Sequence, residues 1–74
     1  MLIIDEHAGT YEDFVRISHE GALGKAVVEV FEAEQYLIIK EKPRGLRYMV
    51  FVKAETLPAL IDMLQEAANR FQKG

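Results

Sequence analysis

Apolar and polar side chains follow two different periods along this chain, and the change between them divides it. From Lys25 to Glu32 the residues alternate, with Ala26, Val28 and Val30 on one parity and Lys25, Val27, Glu29 and Phe31 on the other. The run is rich in β-branched residues that suit a pleated strand. Tyr36 to Lys42 repeats the pattern, setting Leu37, Ile39 and Glu41 against Tyr36, Ile38, Lys40 and Lys42. Leu46 to Lys53 does so again, with Leu46, Tyr48, Val50 and Val52 opposite Arg47, Met49, Phe51 and Lys53. Thr10 to Ser18 alternates less regularly, placing Tyr11, Val15 and Ile17 on one side and Phe14 and Arg16 on the other. Glu32-Ala33-Glu34-Gln35 is short enough for a hairpin loop, Pro43-Arg44-Gly45 for a turn, and Gly21 and Gly24 punctuate a connection. From Glu55 to Gln72 the period changes, with Leu57, Leu60, Ile61, Leu64, Ala68 and Phe71 tracing one face of a helix. Pro58 falls near its start, where the first backbone N–H groups have no helical acceptor anyway.

The order predicts an α+β fold: a four-stranded antiparallel meander over residues 10–53, followed by one C-terminal helix over residues 55–72 packed on one face. Residues 1–9, apolar at Leu2-Ile3-Ile4 and then charged, suit an arm or an edge strand. One amphipathic helix covers one face of such a sheet, so the other must meet water, a second subunit or a ligand. With 74 residues and no cysteine, the chain has material for a single domain and no disulfide or thiolate metal site to brace it. A homodimer is therefore expected. No apolar run approaches the roughly 20 residues of a membrane span, and the N-terminal stretch lacks a basic leader, so the expected location is the cytoplasm.

A formal net charge of −3 hides an asymmetry. Residues 1–37 carry eight acids against Arg16 and Lys25, whereas residues 38–74 carry seven bases against four acids. Five of those bases, Lys40, Lys42, Arg44, Arg47 and Lys53, fall within fourteen residues. If the fully apolar parity meets the helix, the free face presents Lys25, Val27 and Phe31, then Tyr36, Ile38, Lys40 and Lys42, then Arg47, Met49, Phe51 and Lys53. Single-stranded nucleic acid asks for that mixture, since unpaired bases stack on rings while cations follow the phosphates. The same set, with Val27, Ile38, Met49 and Phe51, also suits packing against a second sheet or a protein partner. The basic turn itself reads equally as a polyanion contact or as an ordinary polar turn that discourages edge-to-edge aggregation.

Catalytic signals are weak. His7 and His19 neighbour acids but show no metal-ligand spacing, and Glu12 and Asp13 point to opposite faces of a strand. Gly21-Ala22-Leu23-Gly24-Lys25 lacks both the spacing and the hydroxyl residue of a phosphate loop. No enzyme, metal or cofactor is expected.

Tyr36 to Glu41, the Pro/Arg/Gly turn, the strand ending Phe51-Val52-Lys53 and the segment Leu57-Pro58-Ala59-Leu60-Ile61-Asp62-Met63-Leu64 together resemble a single PUR repeat. That repeat groups with the positive-cofactor-four coactivators among single-stranded nucleic-acid-binding proteins. The resemblance spans about two-thirds of the chain, from Lys25 to Phe71. It implies a curved four-stranded sheet with one helix, an intertwined dimer and nucleic acid against the sheets. Lys40, Lys42, Arg44, Arg47 and Phe51 match places where such repeats carry basic or stacking groups. The chain departs from the pattern in its acids Glu29, Glu32 and Glu34 and in having one repeat. The leading expectation is a non-enzymatic homodimeric binder of single-stranded DNA or RNA, serving transcription or nucleic-acid metabolism. Phe31, Tyr36 and Phe51 would stack on bases, and Lys25, Lys40, Lys42, Arg44, Arg47 and Lys53 would contact phosphates. The alternative is a small protein-interaction module, a regulatory or inhibitory subunit, using the same face or the acidic N-terminal half.

Overall fold

The computed structural model describes residues 1–21, 26–41 and 48–73, the last of them by its backbone alone. It shows an antiparallel sheet in which β1 (Leu2–His7), β2 (Phe14–His19), β3 (Val27–Phe31), β4 (Tyr36–Lys40) and β5 (Met49–Lys53) lie side by side in chain order. A 3-10 turn at Ala54–Thr56 leads into α1 (Leu57–Lys73). The α+β meander with its C-terminal helix is as expected, but the described residues form five strands, not four, the fifth being the edge strand that residues 1–9 allowed. The added strand is β1, which pairs with β2 along its whole length from Leu2 opposite His19 to His7 opposite Phe14. The Glu20 amide donates to the Met1 carbonyl at 2.9 Å and extends that ladder. Its three consecutive apolar residues followed by Asp5 and Glu6 hide the alternation that marks the inner strands. An edge strand tolerates this, because charge there discourages pairing with another sheet.

Two turns need unusual backbone. Gly21, at φ 85°, turns the chain out of β2 where a side chain would be strained. Gln35 adopts φ 62° at the end of the Glu32–Gln35 hairpin, held by its side-chain amide donating to the Glu32 carbonyl at 2.7 Å. The Ala54 amide donates to the Gln35 carbonyl at 2.9 Å, fastening the 3-10 turn to the hairpin.

The register sorts side chains onto two faces. Ile4, Ile17, Val28, Val30, Leu37, Ile39, Val50 and Val52 share an apolar face. His7, Phe14, Arg16, Val27, Glu29, Phe31, Tyr36, Ile38, Lys40, Met49, Phe51 and Lys53 share the opposite one. The helix was expected to cover the apolar face, and here the structure differs. Leu57 lines a small hollow with Val30 and Leu37 on that side. Further along, Ile61 is 61 % exposed, Leu64 56 % and Phe71 85 %. The apolar period fixed which residues form a stripe; it carried no information on what the stripe meets. Val28, Val30 and Ile39 are accordingly only half-buried and Val50 is exposed. The face expected to be open instead holds Val27, Glu29, Phe31, Ile38 and Lys40, all buried, because long side chains there cover one another.

Candidate functional site

On that second face, the pairing of Phe31 with Tyr36 across the β3–β4 hairpin begins a row of rings running across the sheet. His7 stacks on Phe14 with centroids 4.8 Å apart and planes within 4°. Phe14 meets Phe31 at 5.4 Å, Phe31 stacks on Tyr36 at 4.7 Å within 9°, and Tyr36 meets Phe51 at 6.2 Å. These separations match the spacing of neighbouring strands, so the rings turn their faces toward each other and their edges outward. Phe31 is held between Phe14 and Tyr36, and Tyr36 between Phe31 and Phe51. Phe51, on the edge strand, has one ring neighbour and is 64 % exposed.

Beside the ladder lies a group of charges. Arg16 donates from Nε and Nη2 to Oε2 of Glu29 at 3.0 and 2.8 Å, and Lys40 Nζ approaches Oε1 at 3.5 Å. Glu29 is 5 % exposed and Lys40 8 %, so one carboxylate is shared by two cations away from water. The register sets this up by placing Arg16 opposite Glu29 on adjacent strands. The Arg16 guanidinium also sits 5.5 Å from the centre of the Phe14 ring.

The ladder ends in an acidic rim. A hollow of about 640 Å³ is lined by Glu6, His7, Glu12, Asp13, Phe14, Glu32 and Glu34, among others, and the fully exposed Tyr11 stands on its wall. The turn that brings Glu12 here depends on Gly9, where a Cβ would collide with the Glu12 carbonyl oxygen. Tyr36 donates its hydroxyl to Glu12 Oε2 at 2.8 Å. That bond, with burial and the charges of Glu12 and Glu34 behind it, pushes the Tyr36 phenol up from 10.0 to about 12. A second hollow of about 510 Å³ adjoins the first at Glu34 and is lined by Gln35, Tyr36, Phe51, Lys53, Ala54 and Glu55.

The residues singled out in the sequence therefore divide. Phe31, Tyr36, Lys40, Phe51 and Lys53 do share one face, with Phe31 enclosed, Lys40 buried against Glu29, and Phe51 and Lys53 open. Lys25, Lys42, Arg44 and Arg47 lie outside the described residues. His7, Phe14, Arg16, Glu12 and Glu29 belong to the site but were not selected. Parity already placed Glu29 with Phe31 and Arg16 with Phe14; the missing step was cross-strand register. Among the described residues no group of His, Asp and Glu side chains is arranged to hold a metal ion, and no helix is long and apolar enough to cross a membrane. No protein-family model matches the chain, and neither a curated protein nor a solved structure matches it.

Proposed function

We propose that the chain is a non-enzymatic protein-interaction module whose working form is a homodimer, the helix of each copy seated on the apolar sheet face of the other. The observation that carries this reading is area. The chain exposes 6323 Å², whereas a compact monomer of 8.4 kDa exposes about 4,600 Å². The surplus of about 1,700 Å² per copy exceeds the roughly 800 Å² per partner of a standard interface and falls in the range of permanent dimers. The radius of gyration, 13.4 Å, likewise exceeds the about 11 Å of a compact chain this long. Apolar side chains are open along Ile61, Leu64 and Phe71 of α1 and at Val50 of the sheet, beside the half-buried Val28, Val30 and Ile39. Packing α1 on a partner's sheet removes both from water at once and leaves the ring ladder and its acidic rim facing outward. Sedimentation equilibrium tests this: a mass of twice the 8.4 kDa chain supports it, and a monomer at high micromolar concentration refutes it. The cytoplasm is the location that goes with this reading.

A second reading, single-stranded nucleic acid on the same outward face, is favoured by one observation: Phe51 presents an open ring with Lys53 exposed two residues on. It draws on the sequence bases Lys42, Arg44 and Arg47 for phosphate contacts. It ranks second because Phe31 and Tyr36 turn their ring faces to each other, Lys40 is buried on Glu29, and Tyr36 lies among carboxylates that repel phosphate. Titrating a labelled poly-pyrimidine strand at two salt concentrations, with a duplex control, separates the two. Tight, strand-selective and steeply salt-dependent binding promotes this reading, and no binding at low salt removes it.

A further inference from the structure

The two hollows that meet at Glu34 form one surface at the hairpin end of the sheet. Among the described residues their walls carry six carboxylates, from Glu6, Glu12, Asp13, Glu32, Glu34 and Glu55, and a single ammonium, Lys53. Among the described residues none of the six joins a salt bridge, and Glu12 alone accepts a side-chain hydrogen bond, from the Tyr36 hydroxyl. So many uncompensated like charges at one end oppose folding by mutual repulsion, which a cationic partner relieves. The surface is more than an acidic patch, because the second hollow holds the last two rings of the ladder. Tyr36 is a neutral phenol at neutral pH, and Phe51 is 64 % exposed, with Tyr36 as its ring neighbour among the described residues.

From this charge complementarity and the open ring we infer that the surface binds an arginine-bearing extended segment of a partner protein, one guanidinium entering the hollow between Phe51, Glu34 and Glu55. Arginine fits better than lysine. Its flat cation stacks on an aromatic face while its in-plane N–H groups donate to carboxylates at the rim, and a rounded, strongly hydrated ammonium does only the second well. Further basic residues of the segment would then follow the Glu32, Glu12 and Asp13 side of the larger hollow. A polyanion is disfavoured at this end by the same six charges. The inference rests on the reading of the chain as an interaction module, and it uses a face that the proposed dimer leaves free.

The test is fluorescence anisotropy on the full chain with labelled short peptides that alternate Gly with Arg, Lys or Glu, at low and moderate salt. Light scattering on the same samples reads the oligomeric state. The Arg peptide should bind about fivefold more tightly than the Lys peptide of equal charge, and the Glu peptide should not bind. Glu34→Gln and Phe51→Leu, both at exposed positions, should each weaken the Arg peptide by about fivefold and leave the dimer intact. Equal affinity for Arg and Lys peptides, or variants that bind as well as the parent, would reduce the effect to diffuse charge attraction and overturn the site. No Arg-peptide binding with the dimer present overturns this inference alone. A monomeric parent chain overturns the reading beneath it.

Discussion

Leu64→Ala probes the dimer at the middle of α1. Leu64 is 56 % exposed in the isolated chain, so more than half of its burial remains to be gained on association. Full burial of a leucine is worth about 1.5–3 kcal/mol, and truncation to Ala at a half-exposed position forfeits about 1–1.5 kcal/mol. In a two-fold dimer the site occurs twice, for about 2–3 kcal/mol in all. At 1.4 kcal/mol per decade this raises the dimer Kd by about 30- to 150-fold. Sedimentation equilibrium over a wide concentration range reads that shift directly. Circular dichroism should fall with dissociation as well, since an isolated helix of 17 residues is marginal in water. Glu66→Ala is the control: it removes an exposed pair with Arg70 at 3.0 Å on the far side of the helix, worth only about 0.3–0.5 kcal/mol. If Leu64→Ala associates as tightly as the parent, or if Glu66→Ala weakens the dimer equally, α1 does not form the interface and the surface-area argument fails.

Other outcomes follow from the ladder and its charges. Glu29→Ala takes the shared carboxylate from Arg16 and the buried Lys40, and should lower stability by about 2–4 kcal/mol in urea unfolding. His7→Phe keeps the stack on Phe14 and removes a buried ring nitrogen, Nε2, that has no hydrogen-bond partner among the described residues. It should hold or raise the urea midpoint, and a clear fall would mean the imidazole makes a bond that the geometry does not show. Tyr36→Phe should cost about 1 kcal/mol near neutrality by removing the hydroxyl bond to Glu12. Because folding raises this phenol from 10.0 to about 12, its contribution is complete below pH 10 and fades as pH climbs through 12. The stability gap between parent and Tyr36→Phe should therefore close over that window, and a gap that widens would reverse the assignment.

How far the sequence could be read depends on what each pattern encodes. Strands β3, β4 and β5 were legible because β-branched residues alternate through them and because the sequences Glu32-Ala33-Glu34-Gln35 and Pro43-Arg44-Gly45, the latter outside the described residues, separate the alternating runs. The helix was legible from its period, and Pro58 marked its start to within a turn. Strand β1 was legible only as one of two choices, an arm or an edge strand, since Leu2-Ile3-Ile4 and then Asp5-Glu6 give two blocks without alternation, and pairing with β2 decides for the strand. The ring ladder lay between these cases. Parity placed Phe31, Tyr36 and Phe51 together, but whether rings face a ligand or each other is decided by register. The four-residue hairpin fixes that register by setting Phe31 directly opposite Tyr36. Glu29 follows from the same parity; what parity does not give is its neighbour across the strand, Arg16.

The helix marks the limit of such reading, for a physical reason. An amphipathic period records that one stripe of side chains must leave water, and burial against the chain's own sheet satisfies it no better than burial against a second copy's. In a chain of 74 residues the second solution encloses more apolar surface, because a small domain buries a smaller fraction of its chain than a large one. Dimerisation makes one larger body of two small ones. On the proposed dimer, the features that local patterns could not decide, where α1 packs and which face stays open, are the features that depend on the assembly rather than on the chain alone.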